Sequence, residues 1–127
     1  LPAALRSVLA SRYPRELVRT VVVADNCSDR TADAARRTAA ACVQRTDPDR
    51  RGKGYAVAFG LPHAVNRAEP PDAVLVLDAD CTLHPDALRQ LDAALAGGAE
   101  VAQAAVRMGD PGAGAAGVVM AVGSELE

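Results

Sequence analysis

Apolar blocks alternate along the chain with segments of helical spacing. Two short apolar blocks, within residues 17–24 and 73–77, lack polar alternation, which is typical of strands buried on both faces of a parallel sheet. Weaker strand signals lie at residues 41–45 and 101–106. The spacing of apolar residues predicts helices over residues 1–11, 31–41, 55–67 and 85–96. This order predicts an α/β fold, a Rossmann-like layer with a mainly parallel sheet flanked by helices.

The third predicted helix contains a proline. Its apolar positions Val57, Leu61 and Val65 follow at i, i+4 and i+8. Pro62 interrupts this pattern, because proline in a helix interior removes a hydrogen bond and costs about 3 kcal/mol. We therefore expect a kinked or split helix here.

The fourth predicted helix has the clearest pattern. Leu88, Leu91 and Leu95 lie on one face, and two glycines directly after residue 96 end the helix. The segment 109–127 is rich in glycine and alanine and has no periodicity, so it is left unassigned.

Composition narrows the class of protein. The chain has 127 residues, half of them apolar, which suits one domain with one core. Its 14 basic and 16 acidic residues give a net charge of -2, with no electrostatic reason to expect nucleic acid as a partner. No apolar run approaches the roughly 20 residues of a membrane span. Three cysteines without a CxxC pair favour a reducing, cytoplasmic setting. The start at Leu1, without Met, suggests a piece of a longer parent, which is compatible with membrane association of that parent.

Acidic residues follow both clear strands. Asp25 ends the first apolar block, and Asp78 and Asp80 come directly after the second. Ligands of such sheets bind at the carboxyl ends of the strands. Two carboxylates at i and i+2 repel each other unless a divalent cation lies between them, and hard oxygen ligands suit magnesium or manganese. A solvated acidic loop would give the same pattern, because short motifs often match by chance.

Two further segments carry candidate chemistry. Asp25 could accept a hydrogen bond from a ligand N–H such as the uracil imide, whereas Ser28 or Asp29 more often only caps the helix that follows. The loop at residues 51–54 contains Lys53, the only lysine, between two glycines. It lacks the spacing of a P-loop, and taken alone it reads as an exposed basic loop.

Three motifs in order resemble those of the family 2 glycosyltransferases, which have the GT-A fold. They are VVVADNCSDRT at residues 21–31, RGKGYA at 51–56 and VLDAD at 76–80. The likeness runs from about residue 1 to about residue 108. It implies a segment that binds a nucleotide-diphosphate sugar, usually UDP-linked, through a divalent metal, manganese or magnesium. The parent enzyme would transfer the sugar to an acceptor hydroxyl.

The resemblance also implies a role for each matching residue. Asp25 matches the acid that contacts the nucleotide base, and Lys53 lies in the basic motif near the nucleotide. Asp78 matches an acid near the ribose, and Asp80 matches the acid that binds the metal on the donor diphosphate. Gln103 is similar to a glutamine that follows the metal-binding region in some members, and its role stays open.

The chain departs from the family pattern at both ends. Family members begin with a further strand that contacts the nucleotide, and their acceptor-binding half supplies the catalytic base. By this comparison residues 1–108 are a partial nucleotide-diphospho-sugar-binding domain, and the general base is expected beyond Glu127. The sequence names no catalytic residue and no acceptor, and it leaves turnover by this chain alone open.

Two alternatives remain. Residues 75–83 also resemble the first motif of haloacid-dehalogenase-like phosphatases, in which Asp78 would be the nucleophile and Asp80 the general acid/base. That motif normally opens its domain, the residues after Asp80 contain no lysine, and this reading leaves Asp25 and Lys53 without a role. The other alternative is an inactive, truncated remnant of a glycosyltransferase.

Overall fold

A computed structural model describes residues 1–27, 31–38, 40–105 and 120–123. Its elements are α1 (Pro2–Leu9), β1 (Val21–Asp25), α2 (Thr31–Arg36), β2 (Ala41–Arg45), α3 (Lys53–Val65), β3 (Ala73–Val76), α4 (Ala87–Ala96), β4 (Val101–Gln103) and β5 (Met120–Gly123). A short 3-10 helix, Arg15–Leu17, follows α1. The order up to β4 confirms the predicted α/β fold. Within the described residues, no helix has the length and apolar character needed to cross a membrane.

The chain divides into two compact units. One comprises Leu1–Val18 and Asp72–Glu127, and the other comprises Arg19–Pro71. We call them the split unit and the central unit, and each is described by itself.

The central unit contains a parallel pair of strands. β1 and β2 are in register from Val21 opposite Ala41 to Asp25 opposite Arg45. Val22 and Ala24 are buried, while the positions between them are only half-buried. One face of β1 is thus more exposed than its unbroken apolar run predicts. Among the residues that the structure describes, this sheet consists of β1 and β2.

Helix α3 packs on β1 through a glycine. Gly60 is the buried residue of α3, and a Cβ atom built on it would overlap the Cγ2 methyl of Val23. Leu61, which the spacing placed on the apolar face, is 42% exposed, because the helix turns its Gly60 side to the strand. The split expected at Pro62 is wrong, because α3 is one continuous helix to Val65. Pro62 removes one N–H donor from the last turn, and the helix continues for three residues after it. The alternative expectation of a kink stays a prediction.

Helix α2 is shorter than its sequence pattern predicts. It ends at Arg36, and the Thr38 amide and hydroxyl both donate to the carbonyl of Ala35, which tightens the chain before β2 begins at Ala41. The predicted caps Ser28 and Asp29 lie outside the described residues.

The split unit contains a three-stranded sheet in the order β3-β5-β4. β5 is antiparallel to both neighbours, so β3 and β4 run parallel to each other on either side of it. β5 falls within the segment that the sequence left unassigned. Its four residues, Met120–Gly123, have too little pattern to predict a strand, and pairing with two neighbours defines it.

The core of the split unit confirms the predicted face of α4. Leu91 is buried together with Leu83 and Ala87, and the partly buried hydrophobic side chains packed against them include Val8, Leu75, Leu77, Leu88 and Leu95. Gly97 follows the last helical residue and Gly98 has φ 94°, a conformation that favours glycine. This packing supports the chain that runs from β3 to α4, which carries Asp78 and Asp80.

Candidate functional site

Asp25 is the last residue of β1 and lies in register with Arg45, the last residue of β2. The Arg45 Nη1 atom donates to Asp25 Oδ1 at 2.6 Å, and the side chains are only 10% and 15% exposed. The side-chain Nδ2 atom of Asn26 donates to the same oxygen at 3.1 Å. The acid predicted at this strand end is therefore a carboxylate held by a partly buried ion pair.

Arg45 joins the two strand ends to the loop that follows β2. Its Nη1 atom also donates to the carbonyl of Arg50 at 2.8 Å, and its Nη2 atom bonds Asp47 Oδ2 at 3.0 Å. Its guanidinium carbon lies 5.7 Å from the centre of the Tyr55 ring, within reach of a cation–π contact. One side chain thus contacts β1, the loop and α3.

Asn26 closes the same network from the other side. Its backbone has φ 50°, a left-handed conformation that asparagine tolerates better than most residues. Its backbone N–H donates to the carbonyl of Arg45 at 2.8 Å. Its side-chain Oδ1 atom accepts from the backbone N–H of Asp47 at 2.8 Å. The turn after β1 and the loop after β2 are therefore bonded to each other.

Asp47 is the second carboxylate of this network. It accepts from the backbone amide of Arg50 at 3.1 Å and from its Nε atom at 2.9 Å, besides its bond to Arg45. Desolvation raises the pKa of Asp47, but the hydrogen bonds and charge of Arg50, with the charge of Arg45, outweigh it and leave the pKa lowered. The loop is stabilised with this carboxylate ionised.

Lys53 begins helix α3 and is exposed. Gly52, directly before it, has φ 119°, which only glycine adopts without strain. Arg51 donates from Nε to the carbonyl of Pro48 at 3.2 Å. The loop predicted to be exposed and basic is thus exposed, and it forms a turn held by its own arginines, with Lys53 at its end.

Asp78 and Asp80 lie in a turn between β3 and α4. The Cys81 amide donates to the carbonyl of Asp78 at 3.1 Å, which closes the turn. Asp78 is half-buried and Asp80 is exposed. The thiol of Cys81, a buried residue, donates to Asp80 Oδ1 at 3.4 Å.

The chain after this turn is anchored to α1. The hydroxyl of Ser7 accepts from the amide of Leu83 at 2.9 Å and donates to the carbonyl of Ala4 at 2.7 Å. Leu83 is itself buried. This contact fixes the position at which the acidic turn leaves the core.

The described residues contain no group of three or more His, Cys, Asp or Glu side chains that could hold a metal ion. An acidic pair does not need such a group, because magnesium usually binds one or two carboxylates and completes its shell with water and substrate phosphate. Asp80 offers a solvent-facing carboxylate of this kind. Gln103 is the exposed last residue of β4, opposite Met120.

The four predicted site residues are divided between the two units. Asp25 and Lys53 belong to the central unit, and Asp78 and Asp80 belong to the split unit. Sequence reasoning missed Arg45 and Asp47. The signal for Arg45 is its position at the end of a strand, level with Asp25, and recognising it requires knowledge of the sheet register.

The chain was compared with known proteins. The family model described as glycosyltransferase like family 2 matches residues 1–124. The chain therefore belongs to the glycosyltransferase family 2-like proteins, which confirms the resemblance of its motifs. Comparison with curated proteins and with solved structures found no match.

Proposed function

We propose that this chain binds the donor of a glycosyl transfer reaction, a nucleotide-diphosphate sugar that is UDP-linked, with the help of a divalent cation. The observation that carries the proposal is the position of Asp25 and Asp78 at or just beyond the carboxyl ends of β1 and β3, in a chain matched over residues 1–124 to a glycosyltransferase family. The parent enzyme would transfer the sugar to an acceptor hydroxyl. Residues 1–108 would provide the donor-binding part.

Asp25 suits recognition of the base. Both hydrogen bonds given above fall on its Oδ1 atom, so Oδ2 is the oxygen that a ligand donor would meet. A carboxylate paired with arginine is an acceptor only. It therefore fits a base that presents an N–H group, such as the imide of uracil. Lys53, exposed at the start of α3, would place a positive charge near the nucleotide.

Asp80 suits a hard cation. Its side chain is exposed, and the Cys81 thiol is a weak donor to one of its oxygens. Oxygen donors of this kind fit magnesium or manganese. When bound, the cation would stabilise the charge of the departing diphosphate. Asp78, half-buried at the start of the same turn, would contact the ribose side of the donor.

Calorimetric titration of UDP into the chain, with and without manganese, tests the proposal. We expect binding that requires the metal and that is lost in Asp80→Asn. Glu100→Gln is the matched control, because it removes one negative charge from an exposed side chain of the same unit. Circular dichroism would first establish that all three proteins fold.

Two outcomes would contradict the proposal. One is a folded chain that does not bind UDP, whether or not manganese is present. The other is metal-dependent UDP binding that Asp80→Asn and Glu100→Gln leave equally intact, which would reject the role of Asp80. Hydrolysis of a simple phosphate ester with magnesium, lost in Asp78→Asn, would instead support the phosphatase alternative.

A further inference from the structure

We propose that Arg45 is a positioning residue for nucleobase selection. It holds the Asp25 carboxylate as an oriented acceptor, which favours a base with an N–H group, uracil, over one with an acceptor at the same place, cytosine. This inference rests on the proposed function, since it requires that Asp25 meets the base. Nothing in the sequence motifs of the family resemblance assigned a role to Arg45.

The first support is the burial of Arg45. Arginine side chains are rarely this buried unless they are paired, and Arg45 is 10% exposed. Its guanidinium bonds two carboxylates, Asp25 and Asp47, and one carbonyl, that of Arg50. Such multiple, charge-assisted bonding fixes the plane of the guanidinium as well as its place.

The second support is that most of these contacts do not involve Asp25. The contacts with Asp47, the Arg50 carbonyl and the Tyr55 ring hold Arg45 from the loop and from α3. Arg45 is therefore placed independently of the acid that it bonds. Moving the Asp25 side chain away from its present orientation would give up the 2.6 Å contact with Arg45.

The third support is the chemistry of the two bases. At the ring position where uracil carries an N–H, cytosine carries an unprotonated nitrogen. A carboxylate accepts from the former and repels the latter, because two acceptors cannot share a hydrogen bond. A site built to pair with one hydrogen-bonding group rejects a ligand that lacks it. This discrimination needs the Asp25 carboxylate to stay oriented, which is the contribution of Arg45.

The test compares UDP and CDP dissociation constants, measured by calorimetry in the presence of manganese. The variants are Arg45→Met, which keeps the length of the side chain without its charge, and Arg45→Lys, which keeps the charge but cannot reproduce the planar fork. Arg19→Met is the control, an exposed arginine of the same unit. Thermal melts followed by circular dichroism report folding.

We expect the unaltered chain to bind UDP at least about tenfold more tightly than CDP. In Arg45→Met the UDP affinity should fall by about tenfold or more, and the UDP-to-CDP ratio should approach one. Arg45→Lys should lose most of the ratio, and Arg19→Met should keep it. The ratio is decisive because a purely structural role would lower the melting temperature without changing which base is preferred.

Failure of this inference can be told from failure of the proposed function. If Arg45→Met folds and keeps the ratio of the unaltered chain, Arg45 is not a positioning residue, although donor binding stands. If Arg45→Met does not fold, Arg45→Lys decides. An Arg45→Lys variant that prefers UDP over CDP as strongly as the unaltered chain does overturns the inference in the same way. If the unaltered chain does not bind UDP, the proposed function fails and this inference fails with it.

Discussion

The contact between helix α3 and strand β1 predicts that one alanine substitution in the helix destabilises the chain while another does not. At Gly60 a new Cβ atom would overlap the Cγ2 methyl of Val23, whereas at Gly54 it would meet no atom within 4 Å. Both glycines lie in the same helix. They therefore form a matched pair that separates steric cost from helix propensity.

The expected magnitude follows from two opposing effects. Replacing a helical glycine by alanine gains up to about 1 kcal/mol in propensity. Overpacking a tight contact costs about 1–3 kcal/mol, because the neighbour must leave its rotamer or the helix must shift. We expect Gly60→Ala to be less stable than Gly54→Ala by about 1–3 kcal/mol, because both gain propensity and only Gly60 carries the steric cost. Relative to the unaltered chain, Gly60→Ala should lower the free energy of unfolding by about 0–3 kcal/mol. Gly54→Ala should leave it unchanged or raise it by up to about 1 kcal/mol.

Urea denaturation followed by circular dichroism measures both changes, and the cycle with Val23→Ala assigns the cause. Val23 provides the atoms that a Cβ on Gly60 would meet. In the Val23→Ala background the overlap is gone, so Gly60→Ala should become neutral or stabilising. The coupling energy between the two positions should be about 1–3 kcal/mol.

Two results would refute this reasoning. The first is a Gly60→Ala variant at least as stable as Gly54→Ala, which would mean that α3 does not approach β1 through Gly60. The second is a destabilisation of Gly60→Ala that persists unchanged in the Val23→Ala background. It would place the cost in the helix backbone and not in the contact with the strand.

Two further predictions concern single polar side chains, Asp47 and Ser7. The pKa of Asp47 is lowered from its ordinary value of 3.8, so its carboxylate stabilises the fold above that value and the contribution is lost as the pH falls through the lower, folded-state pKa. Urea midpoints measured over acid pH should therefore show the stability difference between the unaltered chain and Asp47→Asn shrinking on acidification, and a difference independent of pH would contradict this. Ser7→Ala removes the acceptor of the buried Leu83 amide, so the free energy of unfolding should fall by about 1–3 kcal/mol. Ser11→Ala, the control on a side chain without this contact, should change it by less than about 0.5 kcal/mol, and equal losses in the two variants would argue against the role of Ser7.

The predictable part of the fold is the part with local periodicity. Helix α4 was predicted to within two residues of its start, because Leu88, Leu91 and Leu95 repeat on one face. β5 was not predicted, since a four-residue strand in a glycine- and alanine-rich segment is defined by its partners β3 and β4. The buried face of α3 was missed because a glycine has no hydrophobic signal, although its lack of a side chain is what allows the close approach.

The acidic residues of the candidate site were predictable for a different reason. Asp25 and Asp78 follow apolar strands, and the end of a strand can be read from the sequence alone. Arg45 and Asp47 could not be recognised, because their importance depends on which strand lies beside β1 and in which register. Local patterns locate the ends of strands, whereas the pairing of charges across strands is a property of the folded sheet.

The register of β1 and β2 explains why an arginine accompanies the acid at this edge. In a parallel pair, residues in register project to the same face, so an acid and a base that both end their strands are brought together by the sheet itself. Asp25 thereby exchanges part of its hydration for a charged bond to Arg45, and further hydrogen bonds fix Arg45 in turn. An isolated carboxylate at a strand end would meet any cation or donor that approached. A carboxylate held in one orientation points its second oxygen, which accepts none of the hydrogen bonds found among the described residues, in one direction, and preorganisation of this kind is what would let the proposed site distinguish a base with a ring N–H from a base with a ring acceptor at the same position.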